Sequence, residues 1–360
     1  MPRAILFNKS FEGFRNLIIN KNEQLYFDEI LDFSKSGEIF DGVGLDFCCY
    51  TISRVPIKFN FLNIIEYNKK TSIDLTQDLD WYGVKEYLSY TKKLALPLKN
   101  ENSENNNYLI VKELEEAKRL KKFIGKCHYK FRSGAGVKYP LRLQFIEQKN
   151  EQLGIFHPYI KVGNKCKVDR HNKICLELKY IKPLITAPML ENNGVKWEND
   201  YCICLYEFGT KKPIREEELQ RKAPYIKNWL EINYDILSHS SSYNKRIQNN
   251  KEYYAILRMG FYVWADNFIC IRDNTKLAPN YISFIQTHWG DKKTPIFEGH
   301  INYISEHTVG KQDFITYDEA HYILNILKNK DNQNIILNSQ DKRSISGRIP
   351  IDIPLFDNHD

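Results

Sequence analysis

The residues best suited to chemistry lie between Arg258 and Ser305, where cations stand beside aromatic side chains and glycines. Phosphate groups bind cations, while nucleic-acid bases bind hydrogen-bonding groups and stack on aromatic rings. This combination favours a groove that binds nucleic acid. The competing interpretation is an ordinary sheet with a solvated basic rim, because charged rims are common on any domain. The candidate residues of this stretch are Arg258, Trp264, Arg272, Lys276, Trp289, Lys292 and Lys293.

A second group of cations surrounds two glycines earlier in the chain. The stretch His128–Ile146 contains FRSGAGVKYPLRLQF, in which Gly134 and Gly136 permit a tight turn. A Walker loop is excluded, because the GK[ST] ending and the helix that should come after it are missing. We expect these cations to line one groove with Arg272, Lys276, Lys292 and Lys293, with Trp264 or Trp289 beside it. The additional candidates are Arg132, Lys138 and Arg142, and, in the polar loop SSSYNKR, Lys245 and Arg246.

Three further residues are typical of metal-dependent cleavage of nucleic acid. Asp169 precedes Glu177 and Lys179, and an Asp followed by Glu-x-Lys can hold Mg²⁺ near a phosphate. A Glu-x-Lys triplet also arises easily by chance in a chain with 27% charged residues. A restriction endonuclease that uses these three residues is therefore an alternative function.

The cysteines predict neither a zinc site nor a disulfide framework. The spacing of the candidate zinc ligands matches no paired-ligand pattern, so we expect buried thiols. Eight cysteines without a CxxC pair, in a chain of 360 residues that lacks a secretion signal, are expected to be reduced and buried. The residues that a zinc ion would have to use are Cys166, His171, Cys175, Cys202 and Cys204.

Neither a dinucleotide loop nor a nucleophilic triad is predicted. Gly42 and Gly44 are followed by DFCCYTIS, which has the pattern of a strand, whereas a dinucleotide loop is followed by a helix. No GxSxG motif occurs. Four histidines near one another are interpreted as surface or loop residues, with a general-base role left open: His288, His300, His307 and His321.

Apolar periodicity predicts the elements that carry these residues. Thr316 and Glu319 have the spacing of a capping box at the start of a helix. Helical spacing occurs at Phe11–Ile18, Trp81–Leu98 (mixed), Glu113–Lys122, Ala223–Ser238 and Thr316–Leu327. Strand patterns occur at Glu29–Phe33, Asp46–Ser53, Asn63–Tyr67, Leu153–Tyr180 and Tyr201–Phe208, and as two short strands within Gly260–Arg272.

Composition limits the possible classes of protein. A chain of 360 residues with 42% hydrophobic residues can form two domains with real cores. The net charge of +7 favours a polyanionic partner. No run of eighteen apolar residues occurs, so no membrane span is expected. The first residues, MPRAILFNKSFEGF, lack the apolar core of a signal peptide, and we expect a cytoplasmic protein.

Four stretches of the chain, in this order, carry a resemblance to a known family. They are Phe27–Ile52, His128–Ile146, Pro224–Lys276 and Ile315–Phe356. Together they resemble the C-terminal portion of the DNA adenine-N6 methyltransferases of restriction–modification systems, the TaqI-like and Eco57I-like group. The first stretch resembles the late strands of the catalytic domain, and the second resembles the entry to the target-recognition domain. The last two resemble a helix leading into RMGFYVWADNFICIRD and a closing helix with the tail IPIDIPLF.

The resemblance implies a fold, a domain order and a partner. The fold would be an α/β N-terminal remnant, the late strands of a Rossmann-like methyltransferase sheet, followed by an α+β, strand-rich DNA target-recognition domain. The implied boundaries are 1–70 for the catalytic remnant, 71–125 for a helical connector with the polar loop NENSENNN, and 126–360 for the recognition domain. The implied partner is double-stranded DNA, from which this family flips an adenine before methylating it.

One departure from the family concerns catalysis. The family uses an Asn/Asp-Pro-Pro-Tyr/Phe motif, and this chain contains no Pro-Pro dipeptide. Its first residues, PRAILF, resemble the residues that come directly after that motif in the family, so we expect the back half of such an enzyme, as a fragment or as one product of a split gene. No catalytic residue, metal site or cofactor site is assigned to this chain. S-adenosylmethionine would be bound by the complete enzyme, through a catalytic half or subunit, and this chain alone would be inactive. A non-catalytic nucleic-acid-binding subunit is a further alternative.

Overall fold

The computed structural model describes residues 6, 18–20, 23–36, 47–54, 61–70, 80–98, 108–163, 165–239, 252–272, 277–307, 313–339 and 349–356. This part of the chain is rich in strands that form several sheets, and two of the sheets are mixed, as in an α/β fold. The chain divides into two compact units. The first unit is Met1–Cys127 with Leu327–Pro354, and the second is His128–Ile326 with Leu355–Asp360. None of the described helices has the length and apolar character needed to cross a membrane.

The first unit is built around one mixed sheet. Its strands are β1 (Ile18–Asn20), β2 (Glu23–Gln24), β3 (Tyr26–Lys35), β4 (Cys48–Ser53), β5 (Leu62–Lys69), β6 (Leu88–Pro97) and β7 (Tyr108–Val111). Its first helices are α1 (Trp81–Glu86) and α2 (Leu114–Leu120). The central sheet has the order β4-β3-β5-β6-β7, in which β3 and β5 are parallel and the other neighbours are antiparallel.

Both faces of this sheet carry apolar side chains, because neighbouring residues of a strand point to opposite faces. On β5, Ile64 packs in a cluster with Ile30 and Ala95 on one face. Tyr67 packs on the other face with Phe33 and Leu88. The three strand patterns that the sequence predicts before residue 70 are confirmed by β3, β4 and β5.

The second unit contains most of the strands. They are β8 (Tyr129–Ser133), β9 (Arg142–Gln148), β10 (Leu153–Val162), β11 (Lys165–Val168), β12 (Ile174–Glu177), β13 (Ile181–Ile185), β14 (Leu190–Glu191), β15 (Gly194–Val195), β16 (Asp200–Ile203), β17 (Phe268–Arg272), β18 (Asn280–Ile282), β19 (Ile285–Gln286), β20 (Lys292–Lys293), β21 (Ile296–Phe297) and β22 (Ile301–His307). The later helices are α3 (Glu216–Lys222), α4 (Pro224–Ile232), α5 (Tyr234–Ser238), α6 (Tyr317–Lys328) and α7 (Lys330–Asn338), of which α7 belongs to the first unit.

Two sheets organise the second unit. The larger has seven strands in the order β11-β10-β9-β16-β13-β21, with β12 also paired to β10. Leu143, Phe156 and Tyr201 are fully buried in the core on one face of it. The smaller sheet has the order β18-β17-β22-β8 and contributes Phe268 and Tyr303 to a second cluster.

Gly134 permits a close approach of backbones rather than the tight turn that the sequence suggests. A Cβ atom at this position would lie 2.1 Å from the carbonyl oxygen of Glu298. The next residues extend the strand contacts, since Ala135 bridges to Glu298 and Gly136 bridges to Leu257. The tight-turn prediction is therefore wrong, and the glycine is required because two chain segments touch here.

The start of α6 confirms the predicted capping box. Thr316 Oγ1 accepts a hydrogen bond of 3.2 Å from the Glu319 backbone N–H, and Glu319 accepts one of 3.3 Å from the Thr316 backbone N–H. The same carboxylate also accepts from the Tyr129 hydroxyl at 2.7 Å and contacts His307 Nε2 at 2.8 Å. Glu319 thus joins the helix to the edge strand β8 and to β22.

Other expectations fail or fall outside the description. The first of the two strands expected within Gly260–Arg272 is a 3-10 helix, Phe261–Trp264, whereas the second is the strand β17. The mixed helical spacing of Trp81–Leu98 gives α1 and then the long strand β6. The helix expected at Phe11–Ile18 lies almost wholly outside the described residues. The cysteines are unbridged, but Cys49 and Cys166 are exposed rather than buried, and Cys127 and Cys175 are only partly buried.

Candidate nucleic-acid interface

The cations expected to bind DNA are placed in several environments by the structure. Three of them, Lys245, Arg246 and Lys276, lie outside the described residues. The others belong to the second unit, and most interact with partners inside that unit. Their surroundings determine which of them remains available to a ligand.

Arg132 on β8 is committed to an internal contact. Its guanidinium pairs with the Glu306 carboxylate, with Nε donating at 2.8 Å. The same group lies 4.4 Å from the centre of the Tyr262 ring. A carboxylate and an aromatic face together satisfy an Arg side chain. Arg132 therefore stabilises the smaller sheet, although 28% of its side chain remains exposed.

Lys138 is also engaged by the protein itself. Its ammonium donates to the backbone carbonyl of Leu237 and, at 3.3 Å, to that of Tyr253. Burial lowers the pKa of Lys138 to about 8. The side chain therefore holds α5 and Tyr253 against the residues before β9.

Arg142 lies at the centre of the larger sheet rather than at a rim. Its side chain is only 15% exposed and pairs with Glu298 at 3.6 Å. The guanidinium lies 5.0 Å from the centre of the Tyr159 ring, and Nε has no hydrogen-bond partner among the described residues. The Tyr159 hydroxyl donates to Asp200, and burial raises the pKa of that carboxyl.

Lys293 and Trp289 stabilise the end of the larger sheet. The Lys293 ammonium donates to the backbone carbonyl of Leu178 at 2.6 Å and to that of Ile181 at 3.2 Å. It also lies 5.2 Å from the centre of the Trp289 ring. The neighbouring Lys292 is exposed on the short strand β20.

The remaining predicted residues differ in exposure. Trp264 is buried and its indole N–H donates to the Thr210 carbonyl at 3.2 Å. Arg258 is exposed, has a φ of 65°, and donates to the Gly134 carbonyl at 3.3 Å. Arg272 is half-buried at the end of β17. The register places Arg272 and Arg132 on the same face of the smaller sheet, through Ile301 and Tyr303 of β22.

Sequence reasoning missed Lys182, which lies on the larger sheet in line with Arg142. The register places Lys182 opposite Cys202 and Cys202 opposite Arg142. The two cations therefore share a face, with Cα atoms about 10 Å apart at the usual strand spacing. The Lys182 ammonium lies 4.1 Å from the centre of the Trp264 ring, and burial lowers its pKa. The only sequence signal was a lone Lys within the apolar run IKPLI.

Exposed cations are instead concentrated on one β-hairpin that sequence reasoning also missed. We call it the basic hairpin: the strand ends 159–162 and 165–168, followed by residues 169–173. Five cations stand here against one carboxylate, that of Asp169. All five are exposed, and none pairs with a carboxylate in the described ranges. They are Lys161, Lys165, Lys167, Arg170 and Lys173.

The basic hairpin lies at one edge of the larger sheet, where β11 is the outermost strand. Among the described strands β11 pairs only with β10, from Val162 opposite Lys165 to Tyr159 opposite Val168. Gly163, which comes directly after β10, has a φ of 60°, a conformation that favours glycine. The sequence signal was the charge-rich run KVGNKCKVDRHNK, whose Gly-Asn pair has the position of a hairpin turn.

The two faces of the basic hairpin differ. The register places Lys165 and Lys167 on the same face as Val162 and Ile160, which are 48% and 39% exposed. Cys166 and Lys161 share the other face. The first face therefore offers ammonium groups and apolar side chains side by side.

The residues of the nuclease alternative do not form a metal site. Both oxygens of Glu177 accept hydrogen bonds from the start of α4, at 2.8 Å from the Tyr225 N–H and 2.9 Å from the Ile226 N–H. Asp169 accepts from the His171 N–H at 3.2 Å. Lys179 lies over the Tyr180 ring. Within the described ranges, no three His, Cys, Asp or Glu side chains come close enough together to hold a metal ion.

No protein-family model and no curated protein matches the sequence of this chain.

Proposed function

We propose that the chain recognises double-stranded DNA as the target-recognition part of a site-specific DNA adenine-N6 methyltransferase. The proposal rests on the resemblance of its four stretches to that family and on the basic hairpin. In it, the mixed sheet of the first unit corresponds to late strands of a Rossmann-like catalytic sheet. Methyl transfer and S-adenosylmethionine binding belong to a catalytic half or subunit, because this chain has no Pro-Pro dipeptide. Such an assembly would act on DNA in the cytoplasm.

The observation that carries the proposal is the shape and charge of the basic hairpin. A two-stranded ribbon fits the major groove, which is about 12 Å wide. Lys165 and Lys167 project from one face together with Val162. In the groove, ammonium groups reach phosphates or the acceptor edge of guanine, and apolar side chains contact the thymine methyl group.

The experiment compares charge removal on the basic hairpin with the same charge removal elsewhere in the second unit. The test variant is Lys165→Ala/Lys167→Ala. The matched control is Lys211→Ala/Lys212→Ala, since both lysines are exposed and belong to the same unit. Binding to a random duplex of about 30 base pairs is measured over a series of salt concentrations.

Each phosphate contact adds about 0.9 to the slope of log affinity against log salt. The hairpin variant should lower that slope by roughly 2 and weaken binding about tenfold or more at low salt, while the control stays close to the unsubstituted chain. Equal effects of both variants would mean that only net charge matters. An absence of binding by the unsubstituted chain at low salt would refute the function itself.

A further inference from the structure

The first unit contains a pocket lined by lysines, tyrosines and apolar side chains. The pocket has a volume of about 440 Å³ and opens on the β5–β6 side of the mixed sheet. Cavities that hold small ligands are commonly of this size. All of its lining residues lie between Ile65 and Lys92, so the site belongs to one unit.

The wall of the pocket carries three lysines and no carboxylate. They are Lys70 after β5, Lys85 in the last turn of α1, and Lys92 on β6, and all three are exposed. The Lys70 ammonium donates to the Glu86 carbonyl at 3.1 Å, which holds it beside α1. Lys92 forms no ion pair with a described residue, whereas the adjacent Lys93 pairs with Glu66 on the opposite face. The pocket therefore attracts anions.

The other wall is aromatic, and one of its two rings, that of Tyr67, is held in place. Tyr67 lies directly opposite Tyr90 in the β5–β6 register, with ring centres 6.4 Å apart. The Tyr67 ring is stacked on Phe33 at 5.0 Å and is buried, while Tyr90 is 62% exposed. Burial first, and the charge of Glu29 second, raise the pKa of Tyr67, so its hydroxyl stays neutral. An exposed ring beside a fixed ring is a surface on which a planar group can stack.

We propose that this pocket binds a nucleotide, with the base against Tyr90 and the phosphates on the three lysines. Stacking on an aromatic side chain tolerates any base, because every base has a π-face. Ile65 and Leu88 supply apolar lining beneath it. S-adenosylmethionine fits the three lysines less well, since it carries a positive sulfonium and a positive ammonium against a single carboxylate and has no phosphate. The pocket belongs to the first unit and the basic hairpin to the second, so the two sites are formed by different residues of separate units.

The test measures binding of the full chain to a set of probes. The set separates stacking of the base on Tyr90 from binding of the phosphates by the lysines. The probes are adenosine, adenosine 5′-triphosphate, tripolyphosphate, S-adenosylmethionine and a 5′-phosphorylated trinucleotide. We expect saturable binding of the triphosphate below about 1 mM, with adenosine and tripolyphosphate each much weaker. Tighter binding of the trinucleotide than of the triphosphate would identify the ligand as single-stranded nucleic acid. The reverse would identify it as a free nucleotide.

Variants test the two walls separately. Tyr90→Ala should weaken nucleotide binding about tenfold, while Tyr90→Phe retains it. Lys92→Ala should weaken the nucleotide about threefold or more and leave adenosine unchanged. Tyr82→Ala and Lys112→Ala are matched controls, since both residues are exposed in the same unit and do not line the pocket.

Three results would overturn the inference. They are no saturable binding by about 5 mM triphosphate, equal binding of tripolyphosphate and the nucleotide, or a Tyr90→Ala variant that binds the nucleotide normally. Duplex-DNA affinity is measured in parallel on Tyr90→Ala. Loss of nucleotide binding with intact duplex binding would support the pocket while leaving the basic hairpin unaffected.

Discussion

The carboxylate of Glu177 accepts a hydrogen bond of 2.8 Å from the backbone N–H of Tyr225, 48 residues further along the chain. Helix α4 begins with Pro224, and the residue before it, Ala223, has no side chain that could cap the free N–H groups. Glu177, at the end of β12, supplies the missing acceptors and places a negative charge at the positive end of the helix dipole. A residue that the sequence marks as a candidate metal ligand thus acts as a long-range helix cap.

Replacing Glu177 by Ala should destabilise the chain. Two backbone N–H groups, one of them buried, would lose their acceptors, and loss of a cap costs about 1–2 kcal/mol of the free energy of unfolding. Urea denaturation followed by circular dichroism measures the change. Lys179→Ala, an exposed neighbour, should change stability by less than about 0.5 kcal/mol.

The same variant bears on the endonuclease alternative. We expect no Mg²⁺-dependent cleavage of duplex DNA by the unsubstituted chain, because Glu177 is engaged at the helix start. Cleavage that Glu177→Ala abolishes, under conditions in which the variant is folded, would instead establish a nuclease.

Gly134→Ala should be among the most destabilising single changes in the second unit. The added Cβ would lie 2.1 Å from the Glu298 backbone oxygen, and a backbone atom cannot rotate away as a side chain can. We expect a loss of about 3 kcal/mol or more, as overpacking in a fixed environment gives. Gly299→Ala is the matched control, since its nearest neighbour would be at 3.7 Å, an ordinary contact. A loss below about 1 kcal/mol for Gly134→Ala would contradict the close approach.

Local sequence patterns predict the strands and helix ends whose formation depends on residues close together in the chain. The strands β4 and β5 arise from short runs of strand-forming residues, and the Thr316–Glu319 capping box arises from a spacing of three. Phe261–Trp264 has strand-forming side chains, yet it forms a 3-10 helix whose Val263 and Trp264 are buried, so tertiary packing overrides propensity.

The partners of the basic residues depend on contacts that sequence order does not reveal. Arg132 meets Glu306 across 174 positions, and Lys138 meets Leu237 across 99. From the sequence alone, these cations and those of the basic hairpin look equally available. Only the pairing of the strands distinguishes a cation that holds the fold from one that faces solvent.

The lowered pKa of Lys138 should make the folded chain more stable as the pH rises. Its pKa in the folded chain is about 8, below the ordinary value of 10.5, because burial disfavours the charged form. Below pH 8 both states are protonated and the cost of burying the charge is present in full. Between about pH 8 and 10.5 the folded chain releases the proton while the unfolded chain retains it, so the cost is progressively removed.

The measurement is the free energy of unfolding of the unsubstituted chain minus that of Lys138→Met, at several pH values from 7 to 10.5. The subtraction removes the titration of cysteines and tyrosines common to both proteins. The difference should rise by an amount on the order of 1–2 kcal/mol, reduced from the full linkage value because the side chain is partly solvated. A difference that is flat or falls over this range would contradict a lowered pKa.

Arg132 and Lys167 are both cations of the second unit. Loss of Arg132 should lower stability, whereas loss of Lys167 should weaken DNA binding. Arg132→Ala removes the Glu306 pair and the Tyr262 contact, so we expect a loss of about 1–2 kcal/mol of stability. A double-mutant cycle with Glu306→Ala should give a coupling of about 1 kcal/mol. Lys167→Ala should leave the melting temperature unchanged and lower the salt slope of DNA binding by about 1. The opposite result is that Arg132→Ala weakens duplex binding at a temperature where the variant is folded, while Lys167→Ala does not. The DNA-binding surface would then lie around β8. The lysines of the basic hairpin would serve only to keep an edge strand from pairing with another chain.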